Sequence, residues 1–154
     1  MKLNQVLEPE HILWNLNARN RNDALKDISS FLESTGMIRD KKEVYEKLLA
    51  REEILSTGIG NGVAIPHCKT GQVDSVKVAL ARSQNGVDFD AVDKAPAHLF
   101  FVVLSPPDQP NPHLQVLARI SKILRTPGAI HHFMNASSAN QLFEFINQEE
   151  KKIT

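Results

Sequence analysis

The sequence predicts a layered α/β domain, because segments typical of strands alternate along the chain with segments typical of helices. The apolar run 99–104, LFFVVL, has no polar alternation, which is typical of a strand covered on both faces. On both sides of this run, apolar residues recur at the spacing of amphipathic helices. A length of 154 residues fits one hydrophobic core and no internal repeat divides it, so we expect a single domain over residues 1–154.

The beginning of the chain predicts a short strand and a helix. Residues 1–10 form a lead-in, residues 12–16 a first strand, and the polar residues 17–22 a loop that ends in a helix cap. The helix runs to about Thr35, and Gly36 ends it. Its inward face is apolar and comprises Leu25, Ile28 and Leu32.

The second helix is predicted from Asp40, an N-cap residue with Glu43 three positions on, to about Arg51. Its inward residues are Val44, Leu48 and Leu49. A glycine-rich loop then leads into a short apolar strand over residues 63–65.

The middle of the chain predicts two further strands before the central one. Residues 75–80 alternate between polar or small and apolar side chains, which is typical of a half-buried strand. Residues 83–86 predict a turn, because the Asn-Gly pair accepts positive φ angles. A short edge strand is predicted over residues 87–93, before the central strand 99–104.

Three helices are predicted after the central strand. Asn-Pro at 111–112 reads as the N-cap and first residue of a helix that runs to about Arg125. Its apolar residues lie on more than one face, so we expect it to be largely buried: Leu114, Val116, Leu117, Ile120, Ile123 and Leu124. A short helix follows over 126–132. The capping box SANQ at 138–141 starts the last helix, and the charged tail 148–152 is expected to fray.

The composition excludes several classes of function. With 18 basic and 18 acidic residues, the formal net charge is zero, so nothing predicts binding to nucleic acid or to an anionic membrane. No stretch reaches transmembrane length, and the first residues lack the apolar run of a signal peptide. A single cysteine suits a reducing compartment. We expect a soluble cytoplasmic protein without membrane insertion.

The stretch 56–68, STGIGNGVAIPHC, is the candidate functional segment. Because proline lacks an N–H and fixes its own φ, Pro66 is expected to end the strand, so that His67 emerges just past it. The polar loop before the strand supplies backbone N–H groups, two hydroxyls and an amide. Such groups suit an oxyanion held near an imidazole.

Residues 60–67, GNGVAIPH, resemble the phosphohistidine signature of the fructose/mannitol-type enzyme IIA domains of the bacterial sugar phosphotransferase system. Arg51-Glu52 followed by STGIG at 56–60 is most similar to the nitrogen-regulatory branch. The resemblance spans nearly the whole chain and departs from the family at Cys68, where glycine is usual. It implies a mixed, mostly parallel sheet of about five strands with helices on both faces.

The resemblance implies a phosphocarrier that works as a component of the phosphotransferase system. His67 accepts a phosphoryl group from a nitrogen-type histidine-containing phosphocarrier protein, and the phosphorylation state changes the binding of regulatory target proteins. No fused enzyme IIB or membrane domain is expected. Two alternatives stay open: a sugar-specific enzyme IIA that passes phosphate to a separate IIB cysteine, and an interaction module that is never phosphorylated.

Two residues are candidates to assist His67. His113 lies in the first turn of its predicted helix, where the dipole disfavours imidazolium, and the family has a histidine at this place. The resemblance assigns it to orient or stabilise the phosphoryl group; by itself it reads as a surface histidine. Arg51 is either an electrostatic clamp on the phosphoryl oxygens or a solvated arginine at a helix end.

The candidate phosphate-binding set comprises Ser56, Thr57, Gly58, Gly60 and Asn61. Its hydroxyls and amide either donate to phosphate or form hydrogen bonds within their own loop. Its glycines suit positive φ angles or the close approach of the backbone to a neighbouring group. The side chain of Cys68 is expected to point away from that of His67, since neighbouring side chains of an extended chain point apart. Cys68 is therefore expected to be a small packing residue. No metal-binding, nucleotide-binding or hydrolase motif is present, so we expect no metal and no cofactor.

Overall fold

A six-stranded sheet with β6 at its centre organises the computed structural model, which describes residues 2–153. The strands are β1 (Ile12–Leu13), β2 (Gly58–Gly60), β3 (Val63–Ala64), β4 (His67–Lys69), β5 (Lys77–Val87) and β6 (Ala97–Ser105). Their order is β1-β5-β6-β3-β2, and β4 also pairs with β6. Three of the five strand pairings are parallel, which confirms the expected mixed, mostly parallel sheet.

Five helices cover the two faces of the sheet. They are α1 (Arg21–Ser34), α2 (Lys41–Ile54), α3 (Pro110–Leu124), α4 (Ala129–Asn135) and α5 (Ala139–Lys151). One apolar cluster lies between the sheet and α1 and α2, and a second between the sheet and α3, α4 and α5. Phe100 faces the first cluster and Phe101 the second, which is why the central strand reads as an uninterrupted apolar run. No helix within residues 2–153 is long and apolar enough to cross a membrane.

Helix caps lie close to the positions that local sequence indicated. The Asp40 carboxylate accepts hydrogen bonds from the backbone N–H groups of Lys42 and Glu43, and Ser138 Oγ accepts from Gln141 N, so both predicted N-caps are confirmed. The cap of α1 is Asn20, which accepts from Asp23 N at 2.9 Å. Helix α2 continues one turn beyond Arg51, to Ile54.

The predicted start of α3 was wrong by two residues. Its N-cap is Gln109 and its first residue is Pro110, so Pro112 lies inside the first turn. That turn accepts a second proline because its N–H groups have no partner within the helix. Within this helix His113 faces the core together with Val116, whereas Leu114, which the pattern placed inward, is 61% exposed.

Strand β5 does not turn at residues 83–86. These residues remain part of the strand, with Gly86 at a φ of 90°, and the register with β6 shifts between Arg82 and Val87, so the extra residues form a bulge. The chain reverses instead after β5, where an edge strand had been expected. Residues 78–83 of β5 are all buried because helices cover both faces of the sheet, so the half-buried interpretation was also wrong.

The two ends of the described chain hold each other in place. The buried Glu150 carboxylate accepts hydrogen bonds from Leu3 N at 2.6 Å and Asn4 N at 3.0 Å, and it lies 3.7 Å from Arg119 Nε. Leu3 and Leu7 are completely buried. The expected loose lead-in and fraying tail are therefore both packed, because each supplies the partner that the other lacks.

Candidate functional site

Strands β3 and β4 act as one strand interrupted at Ile65 and Pro66. Val63 pairs with Leu99 and His67 with Val103, which keeps the same register on both sides of the break. The Pro66 carbonyl accepts from Val103 N, while Ile65 N turns away and donates to the Thr57 carbonyl. His67 therefore begins β4 and does not lie past the end of the strand, because the missing N–H of proline removes only one ladder bond.

The alternation of side chains along this strand decides which face His67 occupies. Val63 and Ile65 belong to the apolar cluster under α3, whereas Ala64 and Cys68 belong to the opposite cluster under α1 and α2. His67 thus projects towards α3. Cys68 is buried on the other face, and burial raises the pKa of its thiol to about 12. A thiol with that pKa stays protonated and agrees with a packing role.

The ring of His67 is held in one tautomer. Its Nδ1 lies 2.7 Å from the Ile65 carbonyl oxygen. Because a carbonyl only accepts hydrogen bonds, the proton of the neutral ring is on Nδ1 and the lone pair is on Nε2. The side chain is partly exposed, and Nε2 is the ring nitrogen with a free lone pair.

His113 lies beside His67. The ring centroids are 5.3 Å apart with a 59° angle between the planes. His113 is only 8% exposed, and its Nδ1 lies 2.7 Å from the Oγ of the buried Ser105. Burial lowers the pKa of His113 below the usual histidine value, and the positive charges of His67, when it is protonated, and of Lys69 lower it further. His113 is therefore a neutral imidazole at physiological pH.

The end of α2 contributes a buried carboxylate. Glu52 is 2% exposed and accepts hydrogen bonds from both the N–H and the hydroxyl of Thr57. Burial raises the pKa of Glu52, and the Thr57 hydrogen bonds and the charges of Arg51 and His67 oppose this shift. Glu52 thus ties the loop before β2 to α2.

Arg51 donates from Nη1 to the Leu55 carbonyl at 2.8 Å. It therefore stabilises the C-terminal end of α2, which agrees with the second alternative for this residue, an arginine at a helix end. Its role as a clamp on phosphoryl oxygens stays a prediction.

Of the loop residues Ser56 and Thr57, Thr57 lies beside Ile65, two residues before His67, because its carbonyl accepts from Ile65 N. Their polar groups are used within the protein. Ser56 Oγ donates to the Phe89 carbonyl and accepts from Gly58 N, and Thr57 binds Glu52. At Gly58 a Cβ would lie 2.8 Å from the Cβ of Ala91, so glycine is needed here for the chain to pass close to Ala91.

Gly60 and Asn61 are not brought to His67. They lie where β2 ends and the chain turns into β3, at least six residues before His67, or about 20 Å along an extended chain. Both have positive φ angles, and Asn61 N donates to Asp93 Oδ2 at 3.1 Å. Their binding of phosphate stays a prediction that this placement does not favour.

Three residues near the site were not singled out from the sequence. They are Glu52, Lys69 and Ser105. Lys69 lies on the same face as His67, two residues on, and is exposed. Ser105 is the first polar residue after the apolar run of β6, which is the only local signal that it carries. Within residues 2–153, no group of three or more histidine, cysteine or acidic side chains is placed to hold a metal ion.

The chain is similar to known proteins over almost its whole length. A family model described as "Phosphoenolpyruvate-dependent sugar phosphotransferase system, EIIA 2" matches residues 5–149. A nitrogen regulatory protein of Pseudomonas aeruginosa is 33% identical over 146 residues, which cover 95% of this chain and 95% of that protein.

Two further relatives extend the comparison. The PTS system fructose-specific EIIABC component of Bacillus subtilis is 33% identical over 151 residues; these cover 98% of this chain but 24% of that protein. The crystal structure of nitrogen regulatory protein IIA-Ntr from Neisseria meningitidis matches with a TM-score of 0.84 and 30% identity. That match covers 92% of this chain and 97% of the other.

Proposed function

This chain belongs to the EIIA 2 family of the phosphoenolpyruvate-dependent sugar phosphotransferase system, and from that premise we propose that Nε2 of His67 carries a phosphoryl group. The observation that supports this most directly is the hydrogen bond between His67 Nδ1 and the Ile65 carbonyl. It keeps the ring proton on Nδ1 and leaves a lone pair on Nε2. A neutral imidazole in this form is a good nucleophile near pH 7.

The phosphoryl group comes from a phosphohistidine on a nitrogen-type histidine-containing phosphocarrier protein. As the Nε2 lone pair of His67 forms the new N–P bond, the P–N bond of the donor breaks and its electron pair returns to the donor imidazole. The Nδ1 proton of His67 stays on its hydrogen bond to Ile65, so no proton has to move. Catalysis then depends on in-line positioning and on donors around the phosphoryl oxygens.

The surroundings of His67 suit the negative charge that arrives. His113 offers a neutral ring beside it, in the first turn of α3, where the positive end of the helix dipole favours anions. Lys69 supplies a cation on the same face, and Arg51 supplies a second if its guanidinium reaches the phosphoryl oxygens. Among the candidate loop ligands, Thr57 bonds to Ile65, two residues before His67.

The output of this phosphorylation is the regulation of partner proteins in the cytoplasm. The support is that a nitrogen regulatory protein matches this chain over 95% of both lengths. The second candidate is a sugar-specific enzyme IIA that passes the group to a IIB cysteine. It is supported by the fructose-specific relative, which is also 33% identical to this chain.

The test is phosphorylation by a reconstituted cascade of phosphoenolpyruvate, enzyme I and a carrier protein, followed by mass spectrometry under alkaline conditions. We expect one phosphoryl group on the wild type and none on His67→Ala. The matched control is His131→Ala, which removes an exposed histidine of α4 and should be phosphorylated normally. Label that persists in His67→Ala, or an unlabelled wild type beside a fully phosphorylated carrier, would refute the proposal.

The nitrogen-regulatory and the sugar-specific functions are distinguished by which carrier protein donates the phosphoryl group and by whether a IIB domain accepts it. Initial rates are compared for a nitrogen-type and a sugar-type carrier, and the phosphorylated protein is then mixed with a IIB domain. A nitrogen-regulatory protein prefers the nitrogen-type carrier and leaves the IIB cysteine unmodified. Rapid transfer to that cysteine would favour the sugar-specific alternative.

A further inference from the structure

Ser105 is the last residue of β6, and its position is fixed by the sheet. It pairs with Lys69 of β4, and its carbonyl accepts from Thr70 N at 2.9 Å. Its side chain is completely buried, with Oγ 2.7 Å from His113 Nδ1. A group held this firmly can orient a neighbouring ring.

The hydrogen bond between Ser105 and His113 has two possible polarities. Either the hydroxyl donates to Nδ1, or a protonated Nδ1 donates to the hydroxyl. In the second case the hydroxyl proton needs another acceptor, and the part of the chain that the structure describes offers Ser105 Oγ none besides His113. A buried hydroxyl proton without an acceptor is costly, so the hydroxyl donates and Nδ1 accepts.

Because Nδ1 of His113 accepts this hydrogen bond, the proton of the neutral ring is on Nε2. We propose that Ser105 is a positioning residue, which holds His113 in the Nε2–H tautomer so that this ring presents a hydrogen-bond donor to a phosphoryl group on His67. The role of His113 as a donor to the phosphoryl group rests on the proposed function of His67. The tautomer of His113 does not depend on that function.

Two buried oxygens then set opposite tautomers in adjacent rings. The Ile65 carbonyl only accepts, so it draws the proton of His67 to Nδ1 and frees Nε2 as the nucleophile. The Ser105 hydroxyl donates, so it occupies Nδ1 of His113 and leaves Nε2–H as a donor. With the centroids 5.3 Å apart, an oxygen of the phosphoryl group lies within reach of His113. One ring attacks while the other stabilises the charge.

The first test measures the tautomer of the unphosphorylated protein. Long-range ¹H–¹⁵N correlations of the imidazole nitrogens are recorded near pH 7.5 for the wild type, Ser105→Ala and Ser29→Ala. Ser29 is an equally buried serine, on α1. We expect an unprotonated Nδ1 and a protonated Nε2 for His113 in the wild type and in Ser29→Ala, and a mixture of tautomers in Ser105→Ala. A protonated Nδ1 in the wild type, or an unchanged tautomer in Ser105→Ala, would overturn the proposal.

The second test measures single-turnover phosphoryl exchange with the carrier. Because Ser105→Ala keeps the His113 ring but not its preferred tautomer, we expect the rate to fall by about tenfold, less than the loss of a whole preorganised donor. Ser105→Thr, which keeps the hydroxyl, should recover most of the rate, and Ser29→Ala should match the wild type. An unchanged rate in Ser105→Ala would show that the tautomer does not serve the transfer.

The two tests distinguish the possible failures. If the wild type accepts no phosphoryl group, the proposed function fails, and the tautomer measurement still decides whether Ser105 controls His113. If the wild type is phosphorylated but His113 has a protonated Nδ1, only the role of Ser105 is refuted. Should Ser105→Thr fail to fold, the wild-type spectrum alone can still refute the proposal.

Discussion

Removing the imidazole of His113 tests the proposed site directly, because it leaves the nucleophile intact. In His113→Ala, His67 keeps its Nδ1 hydrogen bond to Ile65 and the lone pair on Nε2. We therefore expect His67 to be phosphorylated slowly, and the phosphoryl group to be passed back slowly, instead of a complete loss of both reactions. What disappears is one donor beside the developing charge.

The expected magnitude follows from how strongly that donor is held. A single preorganised donor is typically worth about 10²–10³-fold in rate. Burial of His113 favours a strong interaction, but the partly exposed His67 admits water that replaces some of it. We expect a loss of about 10²-fold, which corresponds to about 2.7 kcal/mol of activation free energy. Leaving the Ser105 hydroxyl unpaired should also lower the free energy of unfolding by about 1–3 kcal/mol.

The assay is rapid-quench measurement of phosphoryl exchange with the carrier at a fixed excess of carrier. His113→Gln is measured in parallel, because its amide replaces the N–H donor and should recover part of the rate. His131→Ala serves as the control for removing a histidine elsewhere. If His113→Ala exchanges at the wild-type rate while remaining folded, His113 is a bystander and the reasoning about the second ring is wrong.

Three further predictions concern other parts of the protein. Cys68→Gly should keep phosphoryl exchange within a few-fold in the same assay, because Cys68 packs on the face opposite His67; near-total loss would contradict this. Glu150→Ala should lower the free energy of unfolding in urea by about 2–4 kcal/mol, since it removes the acceptor of Leu3 N and Asn4 N, whereas the exposed Glu144→Ala should change it little. Because burial lowers the pKa of His113, the unfolded chain binds its proton more readily, so stability should fall as the pH drops below the ordinary histidine value of 6.5. His113→Gln should show a shallower fall between pH 7 and 5, and equal slopes would refute the assignment.

The sequence alone determined the features that arise from neighbouring residues. Asp40 and Ser138 were identified as helix caps because a cap hydrogen bond spans only two or three residues. The apolar run of β6 predicted a strand covered on both faces, since period-two alternation disappears when both faces are buried. The signature that ends at His67 pointed to the family, which the comparisons confirm.

Local patterns failed where a distant partner overrode them. The Asn-Gly pair at residues 85–86 has turn propensity, but pairing with β6 on both sides keeps these residues in the strand as part of a bulge. The charged tail was expected to fray, yet Glu150 is buried against the backbone of Leu3, 147 residues away. A hydrogen-bond partner so far along the chain leaves no trace in the local composition.

The arrangement around His67 was decided by the tertiary structure in the same way. The motif identified His67 as the candidate nucleophile, but its free nitrogen depends on the Ile65 carbonyl turning back to Nδ1 at the break between β3 and β4. The neutral state of His113 depends on burial, and its contact with Ser105 depends on where β6 ends and α3 begins. Composition and spacing report which residues are present, whereas tautomer and charge depend on what surrounds each ring after the sheet and the helices have packed.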